Sequence, residues 1–277
     1  MVQLSIAGRS TGTWSPAPGP EGLEQEAVEW GFSLYESERK RSALSAVGMK
    51  LLPVLDRAFV HWSAIPDHEI FPNALFPWTR ELEANWRRIR TEAERVLKDM
   101  NSVPPVRRVS PDHELIARDD RWRGFILWGY GLRWERNCML CPETANLLDR
   151  IPGLLSAFFS VMQAGAHVPR HTGPTKAILT AHLGIKVPAD RDSCHMQIGN
   201  QDLCWSDGRM VVFDDMYPHE VWNDSGEDRV ILLLHIKRPE HLPGAILRES
   251  LFAALRHSSL VKDAQQNLHR WDRRTAA

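Results

Sequence analysis

Downstream of Pro77 the apolar residues Leu82, Trp86, Ile89, Ala93 and Val96 or Leu97 recur every three to four positions. That spacing places them on one buried stripe of a helix. Thr79 is positioned to cap the helix N-terminus and Glu81 lies in its first turn, where an acceptor and a negative charge suit the exposed N–H groups. After Pro104-Pro105 the pattern changes to short apolar runs: residues 125–130, 178–187, 193–198, 209–213, 220–222 and 230–236, bounded by Gly, Pro, Asn or Asp. Such runs predict strands. Residues 147–159 are read as a helix and turn. A regular series of short strands without long intervening helices predicts an antiparallel sandwich or barrel, not a parallel α/β sheet.

The flanks are less regular. Residues 1–22 have the look of a loose leader, and 24–59 carry a patchy helical pattern interrupted by Pro53. Residues 60–77, with Pro66, Pro72 and Pro77, predict loop. A closing helix is expected over 248–255, with a frayed tail beyond Trp271. The expected division is an N-terminal extension over 1–65, a β domain over 66–243 and a C-terminal helix and tail over 244–277.

Composition narrows the function classes. The chain has 277 residues, 43% hydrophobic and 25% charged, with a net charge of -1, as in an ordinary globular protein. Near-neutral charge gives no electrostatic case for nucleic acid or an anionic membrane as partner. No run approaches the ~18–20 apolar residues of a membrane span, and residues 1–20 carry no apolar run like a signal peptide. A cytoplasmic setting is the expectation. Cys138-Met-Leu-Cys141 is one Cys-x-x-Cys pair without a matching second, weak grounds for zinc.

The chemistry-bearing residues are His171 in Arg170-His-Thr-Gly173, His219 in Pro218-His-Glu-Val-Trp222, and Arg229 opening an apolar run. Two neutral imidazoles on separate strands suit a divalent metal, and a guanidinium grips a carboxylate bidentately. A facial-triad iron site places Asp or Glu two residues after its first histidine; here that residue is Gly173. Taken singly, each histidine is more simply a structural side chain. Asp214 and Asp215 are expected to cap a bend, with completion of a triad with His219 the lesser alternative. Trp128, Trp205 and Trp222 are expected to pack in the core, with lining of the substrate pocket the alternative for one of them.

Residues 71–240 resemble the aspartyl/asparaginyl β-hydroxylases. The match is carried by segments 76–86 and 158–162, His171-Thr-Gly-Pro174, Ala181-His-Leu-Gly184, Val212-Phe-Asp-Asp215, His219-Glu-Val-Trp-Asn223 and Arg229. The resemblance implies a mainly β fold with flanking helices around a double-stranded β-helix (cupin, jelly-roll) core. It implies Fe(II) held by His171 and His219 alone, with water at the Gly173 position, and 2-oxoglutarate and O2 as co-substrates. Arg229, aided by Ser160, is implied to bind the distal carboxylate of 2-oxoglutarate and His182 to lie near its chelating end. Met162 and Val221 complete the implied co-substrate pocket.

Three positions depart from the family pattern. Thr180 stands where the family commonly has an arginine for an acidic substrate, Ala164-Gly165 replaces Pro-Gly, and His235 stands where an acidic residue is expected. Thr180 makes aspartate a poor candidate substrate. The expectation is hydroxylation of an amino-acid-like residue, free or bound to a carrier or peptide, or of a biosynthetic intermediate in natural product biosynthesis. Halogenation, desaturation or cyclisation at the same iron is the alternative outcome, and a non-catalytic cupin-like ligand-binding module the alternative class.

Overall fold

The computed structural model describes residues 43–110, 113–114 and 116–275. Helix α1 (Ala43–His61) is followed by strand β1 (Ile70–Phe71), helix α2 (Thr79–Val96) and the short α3 (Val106–Val109). Strands β2 (Trp122–Gly129) and β3 (Leu132–Arg133) lead to α4 (Glu135–Leu140) and α5 (Pro142–Leu148). Then come β4 (Leu154–Met162), β5 (Ala166–His171), β6 (Ile178–Lys186), β7 (Cys194–Ile198) and β8 (Gln201–Cys204). Strands β9 (Met210–Phe213), β10 (His219–Asn223) and β11 (Arg229–Lys237) precede α6 (Leu242–Arg256) and α7 (Ser259–Thr275).

Seven strands form one sheet in the order β1-β9-β6-β11-β4-β2-β3 and four form a second, β5-β10-β7-β8. All of their pairings are antiparallel. The two sheets face each other as a double-stranded β-helix, mainly β with helices on the outside. Period-two alternation divides the central strand β11 between two cores. Val230, Leu232, Leu234 and Ile236 pack with Leu82, Ile89 and Leu148 of the helices. Ile231 and Leu233 pack with Val168, Met196, Ile198 and Val221 of the smaller sheet. A strand buried on both faces explains the unbroken apolar run of residues 230–234.

Several expectations need correction. Residues 147–159 are not one helix and turn: α5 ends at Leu148, Gly153 turns at φ +71°, and β4 begins at Leu154. A short run apolar on both faces fits a buried strand and a buried helix equally well. Thr79 does not cap α2; Trp78 occupies that position, and the Thr79 hydroxyl donates to Phe76 O at 2.8 Å. The stretch 60–77 contains β1, while β5 and β8 had no clear signal. The tail beyond Trp271 stays helical to Thr275, and Trp271 Nε1 donates to Ser102 O at 3.0 Å. Pro53 lies within α1 without ending it. The leader and the helical pattern before residue 43 lie outside the described residues. Among those described, no helix is long and apolar enough to cross a membrane.

Candidate active site

His171 ends β5 and His219 begins β10, and the two are direct partners across that antiparallel pair. Adjacent ends of two strands bring their imidazoles together, with ring centroids 4.1 Å apart. Each ring pairs through Nδ1 with a carbonyl two residues earlier: Pro169 O at 2.8 Å for His171 and Tyr217 O at 3.0 Å for His219. This outer hydrogen bond sets the tautomer and leaves Nε2 with its lone pair for a metal. Burial keeps both rings neutral, His219 pushed down to about 4 and His171 well below the usual histidine value, with His219 adding to the latter. Two preorganised neutral imidazoles fit a divalent iron. Among the described residues no group of three His, Cys, Asp or Glu is placed to hold a metal, so the pair stands without a protein carboxylate as third ligand.

The Gly173 position is crowded from the opposite loop. A Cβ on Gly173 falls against both carboxylate oxygens of Asp215. Asp215 Oδ2 accepts from Thr180 Oγ1 at 2.9 Å, while Oδ1 is buried without a partner. Burial, reinforced by neighbouring Asp214, pushes the Asp215 carboxyl up to about 7. Asp214 caps the bend through Met216 N and is bonded to Arg238 and Lys176. The bend-cap expectation therefore fits Asp214, whereas Asp215 belongs to the site.

Arg229 enters the space between the sheets at the start of β11. It is 3% exposed, and among the described residues no carboxylate pairs with it. Its Nε is buried without a partner, and burial lowers its affinity for a proton to a pKa of about 10. Its guanidinium lies 4.4 Å from the Trp205 ring centroid, a cation–π contact. An unpaired buried guanidinium is costly and is suited to receive an anionic ligand. Met162 is its cross-strand neighbour. Ser160, fully buried on the same face of β4, accepts from Trp122 Nε1 at 2.9 Å. His182 Nδ1 accepts from Trp205 Nε1 at 3.1 Å, which fixes the ring between Trp205 and Phe213. Val221 joins the inter-sheet cluster on the strand that starts at His219.

The seven expected site residues therefore share one inter-sheet space. Trp205, expected as core or as the one of the three tryptophans lining the substrate pocket, carries both the Arg229 stack and the His182 hydrogen bond. His113 was not foreseen. It sits on the loop after α3 and packs edge-on against Trp122 at 5.0 Å. The only signal for it was a histidine two residues after Pro111 in an irregular stretch. Trp128 packs in the outer core, whereas Trp222 is stacked between His167 and His195. Cys138 and Cys141 are buried free thiols pushed up by burial to about 11 and about 12, the opposite of a reactive pair.

Comparison with known proteins adds an independent line. A family model described as aspartyl/asparaginyl beta-hydroxylase matches residues 83–239. An ornithine lipid ester-linked acyl 2-hydroxylase from Rhizobium tropici is 30% identical over 260 residues, 93% of this chain and 92% of that protein. The aspartyl/asparaginyl beta-hydroxylase of Homo sapiens is 32% identical over 226 residues, covering 79% of this chain but 28% of the human protein. Among solved structures, a 2OG-Fe(II) oxygenase family oxidoreductase from Burkholderia pseudomallei superimposes with a TM-score of 0.35 at 12% identity. It covers 43% of this chain and 66% of that one, too loose a likeness to carry functional weight. From the extent of the family match and the near full-length relative, the chain belongs to the aspartyl/asparaginyl β-hydroxylase family.

Proposed function

We propose that the chain is an Fe(II)- and 2-oxoglutarate-dependent hydroxylase. The single observation that carries this reading is Arg229: a buried guanidinium with no carboxylate partner among the described residues, in the same inter-sheet space as two neutral imidazoles whose Nδ1 atoms are held by backbone carbonyls. His171 and His219 would hold the iron, and Arg229 with the Ser160 hydroxyl would hold the distal carboxylate of 2-oxoglutarate. When bound, iron supplies the oxidising chemistry that couples decarboxylation to C–H hydroxylation. The balanced reaction is R–H + 2-oxoglutarate + O2 → R–OH + succinate + CO2.

The protein's part is binding and orientation. Trp205 fixes the plane of Arg229 and the ring of His182. The flanking apolar residues Met162 and Val221 exclude water from the co-substrate, which strengthens the guanidinium–carboxylate pair. The substrate is an amino-acid-like residue or a biosynthetic intermediate carrying an acyl group. The Rhizobium tropici relative, named for an ester-linked acyl chain, supports acyl substrates in particular.

The test is anaerobic titration of the Fe(II)-loaded protein with 2-oxoglutarate, followed by visible absorption and calorimetry. Saturable binding with a new charge-transfer band is expected, lost in Arg229→Ala. Unchanged binding in that variant removes Arg229 from the site. Product mass then separates hydroxylation, a gain of one oxygen, from chloride-dependent halogenation or from desaturation.

A further inference from the structure

The loop between β5 and β6, residues 172–177, follows His171 directly, and the bend at residues 214–218 leads into His219. The strands alone fix this end weakly. β5 is an edge strand, paired on one side only, and its register with β10 shifts between His219 and Val221. Both connections are instead gripped from outside the sheets. Asp56, partly buried on α1, accepts through its Oδ1 from Thr175 Oγ1 at 2.6 Å and from Lys176 N at 2.8 Å. The Lys176 carbonyl accepts from Arg238 Nε at 2.6 Å. The Lys176 ammonium donates to Asp67 Oδ1 and Asp214 Oδ2, each at 2.9 Å, and lies 4.1 Å from the Tyr217 ring centroid. Tyr217 is also the residue whose carbonyl pairs with His219 Nδ1.

Resting on the hydroxylase reading above, we propose that Asp56 and Lys176 are positioning residues of the metal site. Asp56 fixes the backbone of the loop that follows His171, and Lys176 ties that loop to the bend that carries His219. The clamp thereby sets the spacing of the two imidazoles. Asp56 and Asp67 lie before residue 83, where the match to the family model begins, so the upstream segment is a functional part of the site.

The two members of the clamp act by different chemistry. Both donors to Asp56 converge on one oxygen, so an acceptor is needed there and a charge is not; the amide oxygen of asparagine supplies the same acceptor. Lys176 needs its charge, because its side-chain partners are two carboxylates and the face of an aromatic ring.

The experiment loads the metal-free full chain with Co(II), which takes imidazole ligands as iron does. Calorimetry reads affinity, the visible Co(II) spectrum reads coordination, and thermal unfolding gives the Tm of each metal-free variant. Groups that orient metal ligands typically change affinity by about 10–100-fold. Asp56→Ala and Lys176→Met are each expected to weaken Co(II) binding at least tenfold and to change the spectrum. Asp56→Asn is expected to bind within about threefold of wild type with the parent spectrum. Leu247→Ala removes packing from the small core shared by α1 and α6 but no side-chain hydrogen bond. It is expected to lower Tm with Co(II) binding within about threefold. If Asp56→Ala does not fold, Thr175→Val decides, since it deletes the hydroxyl donated to Asp56 and keeps the side-chain shape. Weakening beyond about threefold supports the clamp, and wild-type affinity overturns it. Unchanged binding in Asp56→Ala or Lys176→Met, no recovery in Asp56→Asn, or equal weakening in Leu247→Ala also overturns it. Those results leave the hydroxylase reading standing where wild type binds one Co(II) that His171→Ala removes. A wild-type chain that binds no Co(II), or binds it equally after His171→Ala, defeats the hydroxylase reading and the clamp with it.

Discussion

Asp215 occupies the space a side chain on Gly173 would need, and the two are also joined by a backbone hydrogen bond from Gly173 N to Asp215 O at 2.7 Å. The glycine is demanded by this close approach and not by its backbone angles, since its φ is not in the left-handed region. Gly173→Ala is expected to destabilise the fold by about 1–3 kcal/mol, the range for forcing an extra methyl group into packed space. Gly173→Ala with Asp215→Ala is expected to lose much less than the sum of the single changes, because the second change removes the obstacle. Thermal or denaturant unfolding of the three variants measures the coupling; strictly additive losses would show that the carboxylate yields freely.

Arg229 makes the opposite kind of test. Its guanidinium is buried with no carboxylate of the described residues against it, so its desolvation is uncompensated by them in the free protein. Replacing buried ionic groups by apolar ones of similar volume is often stabilising by about 1–4 kcal/mol. Arg229→Met is therefore expected to raise the Tm of the ligand-free protein while abolishing the stabilisation by added 2-oxoglutarate. A variant that loses stability without ligand would mean that Arg229 serves packing more than binding.

Trp205 couples two functional side chains through different interactions. Trp205→Phe keeps an aromatic face beneath Arg229 but removes the N–H donated to His182 Nδ1. A net hydrogen bond is worth about 0.5–1.5 kcal/mol. The expected result is a few-fold weaker 2-oxoglutarate binding with Tm little changed. Trp205→Ala empties a fully buried site and is expected to cost about 3–5 kcal/mol in stability. Calorimetric titration beside thermal unfolding separates the two effects.

Much of this architecture was legible because two periodicities dominate. The stripe from Leu82 to Ala93 folds as α2, and the runs around residues 178–187 and 230–236 become the central strands β6 and β11. The runs that escaped were those with mixed or doubled burial. β4, apolar on both faces, mimics a buried helix, and β5 is His-Val-Pro-Arg in its middle, too polar and interrupted to stand out. His171, His219 and Arg229 were visible because rare residue types stood at strand ends. Asp215 and His113 were not, because their roles arise from loops folded against strands far away in sequence. No local pattern encodes the contact of Asp215 with Gly173, 42 positions earlier, or that of His113 with Trp122.

Five histidines, two buried and three partly buried, give the fold a defined acid limit. His113, His219 and His235 are held at about 3, 4 and 4, and His171 and His182 well below the ordinary value, with burial the leading cause in each. A depressed histidine is neutral in the folded chain while its unfolded counterpart takes up a proton below about 6.5. Each therefore draws the equilibrium toward unfolding as pH falls from about 6.5 toward 4. Asp215 and Glu240 act in the other direction. Both are raised to about 7, chiefly by burial, so the folded state holds their protons where the unfolded state has released them. Their stabilisation is full below their unfolded values and is lost as pH rises through 7. Asp56 is raised by burial too. With five histidines against three carboxyls, the histidines decide the slope between about 4.5 and 6.5, and the metal-free protein is expected to lose stability steadily as it is acidified across that window. The carboxyls flatten the curve near 7. Thermal unfolding of the metal-free protein from pH 4.5 to 8 measures this profile. His235→Gln, which removes one titrating ring outside the proposed metal pair, is expected to make the acid slope shallower; a slope that is flat in the parent protein or unchanged in the variant would contradict the burial of neutral imidazoles.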